Sequence, residues 1–144
     1  MTEHLWLFYA ILSAVMAALV SVFGKIGLQG LDADTATVIR AVIMALFLIA
    51  VMVVQRNFGH IGDILADRKA LTFIVLSGMA GAMSWLFYFA ALKYGQVSQV
   101  APVDKLSVVI ATIAAVVFLG ESLSLVSASG IGLITVGIIM VALG

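Results

Sequence analysis

The sequence predicts an all-α membrane protein with five transmembrane helices, and three observations carry that expectation. Apolar residues make up 65% of the 144 residues and charged residues 10%, against about 45–50% and 25% in a soluble domain. So short a chain is dominated by its surface, and water cannot be kept off that much apolar side chain. Five windows approach the ~20 apolar residues that a helix needs to cross a ~30 Å hydrocarbon core. The runs are too long for barrel strands, and a helix satisfies its backbone groups within one segment in lipid. The whole of residues 1–144 reads as a single domain.

The first span is expected at about Leu5–Leu28. The Met1–His4 start carries no basic region, and the apolar run is too long for a signal core, so this helix is expected to be retained. A polar turn, Gln29–Asp34, leads to the second span at about Thr35–Val54. The longer connection Gln55–Ala70 mixes charges with Ile61, Ile64 and Leu65, which suits a short helix at the membrane interface. The third span is expected at about Leu71–Leu92, the fourth at Val97–Leu119 and the fifth at Leu125–Leu143, joined by tight turns at Lys93–Gln96 and Gly120–Ser124.

Small residues mark faces where helices can approach in lipid. Ser13, Ala17, Ser21 and Lys25 share one face of the first span, and Ser77, Gly81 and Trp85 one face of the third. In the fifth, Gly130 and Gly137 stand seven residues apart, fitting either internal packing or the seam of a dimer. Five spans put the two ends on opposite sides. Counting bases near helix ends, one side holds Arg56, Arg68 and Lys69, the other Lys25, Arg40, Lys93 and Lys105; loops alone give three against one. So weak a bias is compatible with insertion in both directions, and hence with an antiparallel homodimer as well as a parallel one.

Charges at membrane depth each cost ~2.5–3.5 kcal/mol on insertion scales. Lys25, Arg40, Asp104 and Lys105 are the charges in question, Arg40 and Asp104 lying roughly 8–11 Å inside their helices at 1.5 Å per residue. Two readings stand. Either Asp104 neutralises Lys25 or Arg40, or a base is left to meet an anionic or carboxylate-bearing solute, or, in a second functional version, Asp104 titrates during proton coupling. Pro102 shapes the backbone of the fourth span, and a kink there frees carbonyls in a segment that also carries Gln96, Ser98 and Gln99. Trp85, Tyr88 and Phe89 form an aromatic stripe, as packing or as a cavity wall. Neutral net charge leaves no footprint for nucleic acid, and the chain has no cysteine. With His4 and His60 isolated and no phosphate-binding loop, neither a metal nor another cofactor is expected, and no enzyme constellation stands out.

Three stretches resemble the EamA family of the drug/metabolite transporter superfamily, in its short five-helix bacterial form. They are FGKIGLQGLDADTATVIRAV (Phe23 to Val42), FYFAALKYGQVSQVAPVDKLSVVIATIAAVVFLGESLS (Phe87 to Ser124) and GIGLITVGIIMVALG (Gly130 to Gly144). The second is the most specific, with Ala101-Pro102 and a helix closing on Leu119-Gly120-Glu121. The resemblance implies secondary active transport of a small metabolite across the bacterial inner membrane. It also implies that five helices equal one half of a ten-helix inverted-repeat transporter, completed by a second copy. Lys25, Arg40, Trp85, Tyr88, Gln99, Pro102, Asp104 and Lys105 are then the candidate solute or coupling residues. Small multidrug exporters, by contrast, carry a carboxylate within the first helix, and Leu5–Gly24 has none. A small multidrug exporter and a non-transporting subunit that braces a partner are the competing expectations.

Overall fold

The computed structural model of the chain describes residues 5–56 and 58–144; His4 lies outside them. Regular structure among these residues is all helical: α1 (Leu5–Gly27), α2 (Ala33–Gln55), α3 (Ile61–Ala66), α4 (Arg68–Tyr94), α5 (Val97–Asp104), α6 (Leu106–Leu119) and α7 (Leu125–Leu143). Five stretches are long and apolar enough to cross a membrane: α1, α2, α4, the pair α5–α6 and α7. Large apolar side chains are exposed along all five, Phe47 at 67% and Phe87 at 68% among them. In a bilayer that surface faces lipid, so its exposure carries no penalty.

The ends of the helices have local causes. The Asp32 carboxylate accepts from the Thr35 amide at 2.9 Å and starts α2. Asp67 accepts from the Lys69 and Ala70 amides, which starts α4 three residues ahead of the expected Leu71. Ser124 accepts from the Ser127 amide at 3.1 Å and starts α7. Each side chain satisfies an amide that the first helical turn leaves without a partner. Gly120 ends α6 at φ +68°, a left-handed conformation that glycine adopts without steric cost.

The fourth span covers Val97–Leu119 as expected. It is divided at Lys105 into α5 and α6. Pro102 has no N–H to give the Ser98 carbonyl, and its ring crowds that carbonyl, so the helix is weakened there. The turn that follows tightens, with the Lys105 amide donating to the Pro102 carbonyl three residues back at 3.0 Å.

The chain divides into two units, Phe23–Lys93 and Met1–Val22 with Tyr94–Gly144. In the second, α5 and α6 both pack on α7, where Ile138 is buried. Ser21 is buried as well and returns its hydroxyl to the Ala17 carbonyl at 3.0 Å. Gly130 and Gly137 stand open, with nothing within 4 Å of where a Cβ would sit. The Phe23–Lys93 unit holds the buried apolar cluster of Leu28, Ala33, Tyr88, Phe89 and Leu92. Gly24 packs tightly on this cluster: a Cβ there would fall 2.4 Å from Cε1 of Phe89.

Candidate functional site

The face of α2 that turns into the Phe23–Lys93 unit is Ala33, Thr37 and Arg40, at steps of four and three. Thr37 is buried and returns its hydroxyl to the Ala33 carbonyl at 2.8 Å, so it arrives with its donor spent. The face of α4 is Trp85, Tyr88, Phe89 and Leu92, again at helical spacing. Trp85 and Phe89 stack at 5.7 Å and 29°, and Tyr88 stands edge-on to both at 5.8 Å.

Arg40 meets this aromatic group. Its Cζ lies 3.8 Å from the Trp85 ring centroid and 4.5 Å from that of Phe89. A guanidinium over a ring gains ~0.5–1 kcal/mol when exposed and ~2 when desolvated. Set against an insertion cost of ~2.5–3.5 kcal/mol, the rings offset most of the charge's penalty but not all of it. The Nε atom is buried and has no hydrogen-bond acceptor. Seven residues separate Arg40 from the start of α2, a depth of about 10 Å.

Towards the loop end of the same unit lies a cleft of about 530 Å³, lined by Lys25, Leu28, Gln29, Gly30, Leu31, Asp32, Leu92 and Lys93. Lys25 is half-buried and donates from Nζ to the Leu92 carbonyl. That carbonyl belongs to the last turn of α4, where no helical amide follows to pair with it and a cation is favoured. The cleft closes on Leu92, which is fully buried one turn from Phe89.

Hydrogen bonds from the Thr35 amide and hydroxyl, and then the nearby Lys93, hold the exposed Asp32 carboxyl below its usual range. A lowered folded value means the cap helps α2 above the unfolded pKa of ~3.9. It is lost as pH falls through the folded value. Protection of the Thr35 amide, measured against its intrinsic exchange rate at each pH, should therefore be high at neutral pH and fall below about pH 4. Asp32→Asn keeps a good cap and should show no such fall.

The sequence-predicted residues fall into two groups. Arg40, Trp85 and Tyr88 come together, and Lys25 lines the cleft of the same unit. In the other unit, Asp104 pairs with its chain neighbour Lys105 at 3.2 Å, directly at the division between α5 and α6. Pro102 is half-buried one turn earlier, and Gln99 is exposed. Sequence reasoning sought a counter-ion for Asp104 in Lys25 or Arg40. Lys25 has a carbonyl, Arg40 has aromatic rings, and Asp104 has Lys105. Gly24 and Phe89 were missed as a contact pair; the available signal was a small residue beside the Ser21–Lys25 face.

Comparison with known proteins bears on what such a site serves. The model of the EamA-like transporter family matches residues 4–143. An uncharacterised transporter from the cobO 3′ region of Sinorhizobium sp is 40% identical over 137 residues, which is 95% of this chain and 96% of that protein. An uncharacterised protein of Methanocaldococcus jannaschii is 32% identical over 80 residues, covering 56% of this chain and 58% of its own length. No solved structure matches the chain.

Proposed function

The chain belongs to the EamA-like transporter family and is a multi-pass membrane transporter, and we propose that it carries a small metabolite across the bacterial inner membrane as a dimer of five-helix units. The observation that carries this reading is Arg40. It sits about 10 Å along a spanning helix, its cost only partly offset by Trp85 and Phe89, with a buried donor unused. A charge kept at depth is by default a candidate for a solute or ion path. The tightened turn at Lys105 supports the same reading, since irregular backbone within a span is tolerated where it lines a cavity. Asp104 beside that division is the group proposed to couple transport to protons, with Pro102 and Gln99 shaping its surroundings and Lys105 as its resting partner.

The assay is solute release from liposomes that hold only this protein and are loaded with a bacterial small-metabolite extract, read by mass spectrometry. Asp104→Asn is expected to remove release driven by a proton gradient while the protein still accumulates in membranes. Unchanged release by that variant would sink the coupling role.

The dimer is proposed on the five-helix length, the weak charge bias and the open surface at Gly130 and Gly137. A reporter on the carboxyl terminus should then give signal on both faces of the membrane. Signal on one face alone removes the antiparallel form.

A further inference from the structure

We infer that the transported solute carries a monovalent carboxylate, which docks on the Arg40 guanidinium beside Trp85 and Phe89. This rests on the transporter reading above and adds the chemical class of the solute.

Three features lead to it. First, Arg40 brings donors arranged as a planar fork that fits a carboxylate. The rings at 3.8 and 4.5 Å attract its charge but take none of its N–H bonds, and Nε is buried without an acceptor. An unpaired donor at membrane depth is costly, and a solute acceptor reaching the guanidinium fork would relieve part of that cost. Second, the cleft presents two ammonium groups, Lys25 and Lys93, against one carboxylate, Asp32. That excess raises the local concentration of anions. The Lys25 ammonium is already engaged with the Leu92 carbonyl, which leaves docking to Arg40, farther along α2 and outside the lining of the cleft. Third, the aromatic faces already hold a cation. A cationic solute would meet like charge there, which removes the aromatic-cage mode of binding.

Charge matching selects among anions. One guanidinium neutralises one negative charge. A phosphate dianion at the same depth would leave one charge uncompensated in a low-dielectric site. A monocarboxylate leaves none. Trp85 and Phe89 also offer apolar surface beside the guanidinium, so the rest of the solute can be apolar.

Trp85 is itself the reporter of occupancy. Trp6 is 67% exposed near the start of α1 and is not among the site residues named above. Trp6→Phe therefore leaves Trp85 as the lone tryptophan. In detergent or nanodiscs, cyclohexanecarboxylate should change the Trp85 emission saturably. Its neutral isostere cyclohexanecarboxamide, inorganic phosphate and tetraphenylphosphonium should not. Arg40→Gln should abolish the response, and Arg40→Lys should weaken it by about tenfold because the charge stays but the fork is lost. Circular dichroism matched to the parent shows that each variant is folded. If Arg40→Gln fails to fold, the Lys variant and the four probes decide alone. No saturable response to the carboxylate, or an equal response to the carboxamide, overturns the inference, and saturation by phosphate or by tetraphenylphosphonium replaces it with that solute class. Failure of the transporter reading looks different: no solute of any class leaves the loaded liposomes.

Discussion

Arg40→Gln is expected to stop solute release from loaded liposomes while leaving insertion and helical content intact. Removing one partner of a buried charge pair costs ~2–5 kcal/mol, so the loss should be about 30-fold or more. Stability should move little, because two terms nearly cancel. The variant escapes an insertion cost of ~2.5–3.5 kcal/mol. It forfeits ~2 kcal/mol of cation–aromatic attraction. A brace would behave differently: removing a charge kept only for packing would leave release in step with the amount of folded protein, with no specific effect on flux. Parallel measurement of thermal unfolding and release separates the two roles.

Gly24→Ala is expected to destabilise the protein by ~1–3 kcal/mol, the usual cost of overpacking a filled contact. The added Cβ would sit 2.4 Å from Cε1 and 3.0 Å from Cζ of Phe89. A ring edge can often turn aside, but Phe89 is 3% exposed, stacked on Trp85, edge-on to Tyr88 and under the Arg40 guanidinium. Moving it therefore disturbs the site as well as the fold, and release should fall together with the melting temperature. Phe89→Leu on the Gly24→Ala background should recover part of the stability, because the two residues are in contact and their effects do not add. Additive losses would show that Gly24 acts elsewhere.

The five spans were legible because length alone sets them: a run of about 20 apolar residues has no other stable state in a short chain. Arg40 was legible as a costly charge, and Trp85, Tyr88 and Phe89 as a stripe, since both follow from position along one helix. Their meeting was not. It depends on the rotation of α2 against α4, and Arg40 and Trp85 lie 45 residues apart in the chain (85 − 40). Pro102 announced a disturbed fourth span, but the division falls at Lys105, where the tightened turn forms. The role of Lys25 was hidden for another reason. Its acceptor is a backbone carbonyl at the end of α4, and which carbonyls a helix leaves unpaired depends on where that helix stops.

The central claim is that this chain, without any other protein, moves a solute through a path that includes Arg40. The direct test is release from extract-loaded liposomes holding the wild-type chain, against protein-free liposomes. The account predicts selective, saturable loss of particular solutes that Arg40→Gln abolishes. Identical release from both kinds of liposome, with the protein verified as folded and inserted, would contradict it.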